Sequence, residues 1–223
     1  MKPFSRRQIF MEEHIDRIKE AVVNGNRKDI EGFVKQAIKD KIEFNAIINN
    51  ALIAAMDIVG QKFSDGEMFV PEMMISAIAM KMGLQLIKPL MVEGEGEKKG
   101  TILIATVRGD MHDIGKNLVA MMFEGAGFNV VDMGVDVREE KILQHVKDDN
   151  PDVLALSCLL TTTTPQMKSV IEALISEGCR DNVKVIIGGA PVDQAFANKI
   201  GADGYGQDAS EAVQLARRFI SVT

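Results

Sequence analysis

The sequence has 223 residues, of which 46% are hydrophobic, and it carries a formal net charge of −6 at pH 7. This length is sufficient for one or two globular domains with hydrophobic cores. Nucleic-acid binding is not expected, because lysines and arginines are interspersed with acidic residues and form no basic face. Residues 1–11 contain no apolar leader, and no stretch reaches the roughly 18 uninterrupted apolar residues of a membrane span. We therefore expect a cytoplasmic protein.

Residues 9–90 carry apolar side chains at helical spacing and predict four amphipathic helices. The fourth helix begins at Pro71, which suits a first helical turn, and ends before Pro89. The breaks between the helices are short and polar: 24–26, 39–40 and 64–66. Short connections give antiparallel neighbours, so we predict that residues 1–92 form an all-α four-helix bundle.

The composition changes after residue 92. Residues 93–100 are charged and glycine-rich without any apolar side chain, which predicts a flexible linker. Beyond it, short apolar runs alternate with helical patterns. The predicted strands are 101–107, 129–132, 153–157, 184–187 and a weak one near Tyr205. Because parallel strands need crossover connections, we predict that residues 101–223 form an α/β doubly wound, five-stranded parallel sheet of the flavodoxin or Rossmann type.

The loop after the first predicted strand contains a possible metal ligand. Ligands of doubly wound sheets bind beyond the carboxyl ends of the strands, which draws attention to the loops after the first, third and fourth strands. The first of these loops reads Asp110-Met111-His112-Asp113-Ile114-Gly115. A metal-binding imidazole usually donates its second N–H to a carboxylate, and Asp110 can accept from His112. Gly115 would let a planar ligand approach the backbone. The same pattern also fits a helix-capping aspartate beside a solvated histidine.

The other two loops are rich in hydroxyl groups and in small residues. The third loop runs from Ser157 through Leu159 to four threonines, 161–164, ahead of a helix. Ordinary helix N-caps account for one or two of these threonines but not for the whole run. The fourth loop begins with Gly188, Gly189 and Ala190, which leave an opening at the strand end, although a tight turn has the same composition.

The remaining histidines and the cysteines give no indication of chemistry. Cys158 and Cys179 lack the C-x-x-C spacing of a zinc or redox site, so we expect two reduced thiols. His14 and His145 are isolated on helical segments, and we expect them at the solvated surface.

The three loops together resemble the cobalamin-binding domain shared by methionine synthase, the corrinoid proteins of methanogen and acetogen methyltransferase systems, and the B12-dependent mutases. The resemblance is carried by Asp110-x-His112-x-x-Gly115, then Ser157-x-Leu159 with the following threonines, then Gly188-Gly189, in that order. The four-helix half is similar to the cap domain of the methyl-transfer members. The resemblance therefore covers essentially the whole chain.

The resemblance implies specific roles for the loop residues. His112 would replace the cofactor's own base as lower axial ligand of cobalt, with Asp110 behind it and Thr163 behind Asp110, as a relay that tunes ligation. In methionine synthase a serine ends this relay. The resemblance implies further contacts with the corrinoid and its nucleotide tail at Met111, Asp113, Ile114, Gly115, Ser157, Leu159, Thr161, Gly188, Gly189, Ala190, Tyr205 and Gly206. Phe69 and Met73 would cover the upper face of the corrin, although both also suit a bundle core.

The implied function is that of a methyl carrier. The cobalt would cycle between Co(I) and methyl-Co(III), taking a methyl group from a donor-specific methyltransferase that acts on a methylamine, betaine, methanol or aromatic methyl ether. A second methyltransferase would pass the methyl group to a thiol coenzyme or to tetrahydrofolate, and a reductive activase is a third expected partner. The chain is too short for the barrels that bind donor and acceptor. We therefore expect a corrinoid subunit that is not catalytic alone.

Three alternative interpretations remain at the level of the sequence. A mutase small subunit would use adenosylcobalamin, but the cap-like bundle speaks against it. A B12-dependent regulator or sensor usually contains a basic DNA-recognition helix, which the sequence lacks. A cofactor-free flavodoxin-like signalling domain with a helical dimerisation bundle would place Asp110, Asp113 and Lys116 at the surface.

Overall fold

The structure is a computed structural model that describes residues 6–90 and 100–221. The chain divides into two compact units, Met1–Glu97 and Lys98–Thr223. Each unit has its own hydrophobic core. The predicted linker at 93–100 lies outside the described residues except for Gly100.

The first unit is helical, as the sequence predicts. Its helices are α1 (Arg6–Val23), α2 (Ile30–Lys39), α3 (Phe44–Ala46), α4 (Ala54–Ser64) and α5 (Val70–Ile87). A π-helical stretch, Ile47–Ile53, joins α3 to α4 without a break, so that 44–64 form one continuous helix. Four helices therefore pack together, and the predicted four-helix bundle is confirmed. Helix α5 gives way to a 3₁₀ turn at Lys88–Leu90, where the proline ring cannot continue an α-helix.

Helix α5 packs against α1, α2 and α4 within this unit. Its buried residues lie on one side of the helix: Met73, Ser76, Ala77, Ala79, Met80, Gly83 and Ile87. Gly83 permits close packing, because a Cβ atom there would lie 3.0 Å from Leu52 Cδ2. In the described part of the chain, α5 is also the one helix long and apolar enough to cross a membrane by length and composition alone. Core helices of soluble proteins meet the same criterion.

The second unit is a five-stranded parallel sheet with a helix after each strand. The strands are β1 (Thr101–Thr106), β2 (Asn129–Asp132), β3 (Val153–Ser157), β4 (Lys184–Gly188) and β5 (Gly204–Gly206). The helices that follow them are α6 (Ile114–Gly125), α7 (Glu139–Asp149), α8 (Thr164–Ser176), α9 (Gln194–Ile200) and α10 (Ala209–Ile220). The strand order is β2-β1-β3-β4-β5, which confirms the doubly wound sheet and places the switch point between β1 and β3.

The strands are apolar because helices cover both faces of the sheet. Residues 102–105 of β1 and 153–156 of β3 are fully or almost fully buried, as expected for central parallel strands. The predicted first strand is one residue too long. Val107 makes only an isolated bridge, to Val137 beyond the end of β2, because the chain turns there into the loop that carries His112.

The expected surface position of His14 is wrong. The residue is 8% exposed, its Nε2 atom lies 3.1 Å from a carboxylate oxygen of Asp40, and its ring meets Phe10 edge-on. The physical reason is that packing of α1 against α2 covers the ring while Asp40, at the end of α2, supplies a polar partner. His145 is half-buried and pairs with Asp149 at 2.8 Å. Both cysteines are free thiols, as expected, and both are buried.

Met73 and Phe69 differ sharply in burial, so substitution by alanine should lower the free energy of unfolding by different amounts at the two positions. Met73 has no exposed surface, so Met73→Ala is expected to lower the free energy of unfolding by about 2–5 kcal/mol. Phe69 is 70% exposed and its backbone N–H, bonded to Glu72, survives the change, so Phe69→Ala should cost less than about 0.5 kcal/mol. Urea unfolding of both variants checks this difference. Equal losses would show that Phe69 packs in the folded bundle.

Candidate functional site

The candidate site lies at the carboxyl ends of the central strands. Thr106, Ser157, Gly188 and Gly206 are in register across β1, β3, β4 and β5. This row is the last of the sheet, and the loops with predicted site residues leave from it. Equal strand ends on both sides of the switch between β1 and β3 bring the loop after β1 next to the loop after β3.

His112, Asp110 and Thr163 form a hydrogen-bonded chain across these two loops. His112 Nδ1 lies 2.7 Å from Asp110 Oδ1, and Thr163 Oγ1 lies 2.8 Å from Asp110 Oδ2. The carboxylate accepts only, so Nδ1 carries the proton and Nε2 of the neutral ring has the free lone pair. The His112 side chain is 49% exposed, whereas Asp110 is fully buried. This arrangement presents an oriented imidazole at the surface with its tautomer fixed from below.

Asp110 is a buried carboxylate that accepts five hydrogen bonds. Besides the His112 ring and Thr163, the donors are the backbone N–H groups of His112 at 3.1 Å, Leu159 at 2.8 Å and Leu160 at 3.2 Å. Burial raises the pKa of Asp110, but the bonds from Leu159, His112 and Thr163 outweigh it and hold the pKa well below its usual range. Asp110 is therefore ionised at neutral pH.

Thr163 does not act as a helix cap, although it occupies the N-cap position of α8. Its hydroxyl lies 2.8 Å from Asp110 Oδ2 and 2.8 Å from the carbonyl oxygen of Leu160. One hydroxyl proton can serve one acceptor at a time, so Thr163 can donate to the carboxylate or turn to the carbonyl. Thr164 bonds the carbonyl of Thr161, whose own side chain is exposed. The run thus combines one buried relay hydroxyl with ordinary turn contacts.

An exposed apolar surface lies on the two loops that meet at Asp110. Its members carry large exposed fractions: Met111 68%, Ile114 79%, Leu159 46% and Leu160 40%. Asp113 and Gly115 are also exposed, and a Cβ atom at Gly115 would meet no atom within 4 Å. Exposed apolar groups of this size around a polar, oriented imidazole are typical of a ligand-binding surface.

The small residues at the ends of β4 and β5 serve close packing. Gly189 has φ +126°, and a Cβ atom there would overlap the carbonyl oxygen of Cys158. A Cβ atom at Gly188 would lie 3.1 Å from the carbonyl oxygen of Gly206, and one at Gly206 would lie 3.1 Å from the Cβ of Ala212 in α10. Tyr205 is half-buried and Ala190 is exposed at this edge.

Comparison with known proteins agrees with this geometry. A family model described as B12 binding domain matches residues 100–214, and a second model of the same description matches residues 14–88. The chain is 43% identical to the dimethylamine corrinoid protein of Methanosarcina barkeri over 211 residues, 94% of this chain and 99% of the relative. This chain belongs to the B12-binding corrinoid proteins.

Solved structures extend the comparison to the whole fold. A cobalamin-binding protein from Desulfitobacterium hafniense DCB-2 matches with a TM-score of 0.78 at 30% identity, over 92% of this chain and 98% of the other. The methanol:cobalamin methyltransferase complex MtaBC from Methanosarcina barkeri matches with a TM-score of 0.84 at 31% identity, over 100% of this chain and 87% of that chain. The cofactor of this protein is accordingly a cobalamin or related corrinoid.

The residues present fit such a cofactor. His112 offers one nitrogen to a metal, and its Nδ1 contact with Asp110 leaves Nε2 for that purpose. In the described ranges 6–90 and 100–221, no three His, Cys, Asp or Glu side chains converge on one metal position. One protein ligand suits a metal whose other ligands come from a macrocycle, and the exposed apolar side chains beside His112 suit the face of a corrin.

The two helical residues predicted to cover the corrin are placed differently. Phe69 is exposed and available, whereas Met73 is fully buried and has no surface to offer a ligand. Met73 is therefore a residue of the bundle core and does not cover a corrin, contrary to its predicted role. Cys158 is buried beside the relay, where burial and the charge of Asp110 raise the pKa of its thiol to about 11, so it stays protonated at neutral pH.

Three supporting residues were missed from the sequence. Thr106 donates from its buried hydroxyl to the carbonyl oxygen of His112 at 3.0 Å. Lys116 is buried and pairs with Asp132 at the end of β2. The loop after β2 also contacts the histidine loop through Asp136. Lys116 directly follows Gly115 in the first loop motif, but this position does not indicate that the lysine is buried or that it pairs with Asp132, sixteen residues further along the chain.

The pKa of Asp110 predicts how acid affects stability. Its folded-state pKa lies below the ordinary value of 3.8. The ionised Asp110 therefore stabilises the folded state fully above that pH, and this stabilisation is lost as the pH falls below it. Asp110→Asn should cost about 3 kcal/mol at neutral pH. The difference from the wild type should shrink toward about pH 3. Urea unfolding of the apoprotein across this range measures both effects.

Asp193 supplies a matched control for this experiment. It caps α9 by accepting from the backbone N–H of Phe196, and asparagine caps equally well. Asp193→Asn should therefore leave the free energy of unfolding at neutral pH nearly unchanged. An Asp110→Asn protein that loses stability in acid as steeply as the wild type would contradict the assigned ionisation of Asp110.

Substitution of Gly189 tests the close approach between the loops after β3 and β4. Gly189→Ala combines a left-handed backbone with overlap on the Cys158 carbonyl and should cost at least about 3 kcal/mol. Gly178→Ala is the matched control, since Gly178 has φ +68° but a Cβ atom there meets nothing within 4 Å. It should cost only about 1–2 kcal/mol. Similar losses in urea unfolding would show that the loops separate easily.

Proposed function

We propose that this protein carries methyl groups in a methylamine-type methyltransferase system. The support for the donor class is the 43% identity to a dimethylamine corrinoid protein across nearly the whole of both chains. A methanol-type system is the second candidate, because the fold matches the corrinoid protein of the methanol:cobalamin methyltransferase complex with a TM-score of 0.84. The identity to that chain is lower, 31%. Methylamine-type donors are therefore favoured.

The observation that carries the proposal is the relay of His112, Asp110 and Thr163 beneath an exposed apolar surface. The corrinoid would supply, when bound, a cobalt centre able to accept a methyl group and to give it up again. Asp110 holds the proton of His112 on Nδ1 and directs Nε2 outward. Because the pKa of Asp110 is held low, the carboxylate is ionised at neutral pH and remains an acceptor for the Nδ1–H of His112. Nε2 is thereby left as the ring nitrogen that can act as a ligand.

The helical unit has the proposed role of a shield. Phe69, at 70% exposure, is more exposed than Phe10 at 45%, and it can exclude water from the upper face of a corrin. Access by a methyltransferase then requires the shield to move.

The proposed partners follow from the carrier role. One methyltransferase delivers the methyl group from a methylated amine, and a second passes it to a thiol coenzyme or tetrahydrofolate. A reductive activase restores the reduced cofactor, and all of these would act in the cytoplasm. The corrinoid protein alone supplies no donor site in this proposal.

Substitution of the axial histidine tests the ligation. Wild-type protein loaded with hydroxocobalamin should show a histidine-ligated visible spectrum, and His112→Ala should lose it and bind the cofactor about 10–100-fold more weakly. His145→Ala is the control, since its ring lies on α7 and pairs with Asp149. An unchanged spectrum in His112→Ala would refute ligation by this residue.

The donor class is tested with the reduced holoprotein and purified methyltransferases for methylamines or methanol. Methylation, followed by the visible spectrum, is expected with a methylamine enzyme and its substrate. Methylation with the methanol enzyme alone would select the second candidate. Methylation by neither, while the histidine-ligated spectrum is present, would overturn the donor proposal and leave cofactor binding standing.

A further inference from the structure

The loop after β2 runs beside the loop that carries His112. The backbone N–H of Thr106 donates to the carbonyl of Gly134 at 3.0 Å, and that of Val137 donates to the carbonyl of Thr106 at 3.1 Å. Residues 133–137 therefore continue the pairing of β1 with β2 past the end of the sheet. They approach the histidine loop from the edge-strand side, whereas Leu159, Leu160 and Thr163 approach from the β3 side.

Asp136 makes two bonds to the backbone around Asp110. Its Oδ1 atom accepts from the N–H of Gly109 at 2.7 Å, and its own N–H donates to the carbonyl of Asp110 at 3.0 Å. Asp136 thus holds the peptide unit that precedes Gly109 and the peptide unit that follows Asp110. The Asp110 carboxylate accepts hydrogen bonds from two loops. Its side chain is short, so a small shift of its backbone would move the carboxylate away from those donors, and the backbone must be held in place.

Asp136 makes these contacts in a backbone conformation that is energetically unfavourable. Its φ is +52°, a left-handed conformation that is unfavourable for most side chains and that aspartate and asparagine tolerate best. Its side chain is exposed, so it fills no cavity and supports no core. A strained backbone at an exposed residue that contacts a functional loop indicates a role in that loop.

We propose that Asp136 is a positioning residue that holds Asp110, and through it His112, in the geometry required for cobalt ligation. The inference rests on the proposed role of His112 as axial ligand. Removal of the Asp136 carboxylate frees the Gly109 N–H and lets the Asp110 backbone shift, so that His112 Nε2 points correctly in a smaller fraction of molecules. The fold is retained, because both bonds of Asp136 are local to the two loops.

Three substitutions separate the side chain from the backbone conformation. Asp136→Gly keeps the left-handed backbone and removes the acceptor for Gly109. Asp136→Asn keeps both an acceptor oxygen and tolerance of positive φ. Asn150→Ala is the matched control for backbone strain, since Asn150 ends α7 at φ +42° away from these loops.

The measurement is electron paramagnetic resonance of bound cob(II)alamin in protein labelled with ¹⁵N-histidine. A protein histidine on cobalt gives a doublet splitting, whereas the cofactor's own unlabelled base gives a triplet. The wild type, Asp136→Asn and Asn150→Ala should show the doublet. In Asp136→Gly the ratio of histidine-ligated to unligated cobalt should fall about tenfold.

Each result of this experiment has a distinct meaning. A wild type without the doublet would overturn ligation by His112, and with it the proposed function, whatever the variants show. A wild-type doublet that persists in full in Asp136→Gly would overturn the positioning role alone. Amide hydrogen exchange of the apoprotein adds a readout without cofactor: the Gly109 N–H should exchange faster in Asp136→Gly than in the wild type and in Asp136→Asn. Unchanged exchange would also contradict the proposal.

Discussion

The buried charge of Asp110 is the constraint on which the site depends. A carboxylate without access to water is stable only if its oxygens are hydrogen-bonded, and here the donors come from the loops after β1 and β3. Neither loop alone can satisfy it. The register of Thr106 with Ser157 ends the two strands at the same level, so that both loops converge on one carboxylate. Folding of this edge and formation of the site are therefore the same event.

This shared anchor links stability to ligand orientation. The bonds that lower the pKa of Asp110 also determine where its Oδ1 atom points, and Oδ1 in turn holds the ring of His112. An oriented imidazole needs no rearrangement when it binds a metal, which is the benefit of a prearranged ligand. As a consequence, the residues that bond the Asp110 carboxylate cannot be substituted independently, because each of them affects both the stability of the fold and the orientation of His112. Thr106 and Asp136 hold the backbone of the histidine loop without contacting the Asp110 carboxylate.

The sequence predicts most of the architecture because apolar periodicity and strand order depend on local pattern. Short apolar runs predict every strand of the sheet, and the resemblance of three loops places the relay. Burial of individual helix residues is less predictable, since the period that puts Phe69 and Met73 on the same segment does not say which neighbour covers them. His14 was misplaced for the same reason. Contacts such as Asp136 with Gly109 join residues far apart in sequence and depend on backbone conformation, which composition does not reveal.

The methyl group of Thr163, which ends the relay, gives a physical reason for a threonine at this position. A serine supplies the same hydroxyl, but the additional methyl group of Thr163 limits its side-chain rotamers. The residue is only 6% exposed, and a Cβ atom at Gly109 would lie 3.6 Å from its methyl carbon. The methyl group thus packs beside a residue of the histidine loop and keeps the hydroxyl between Asp110 and the Leu160 carbonyl. Because Asp136 holds the other side of Gly109, the threonine and the aspartate together confine the backbone from which Asp110 projects.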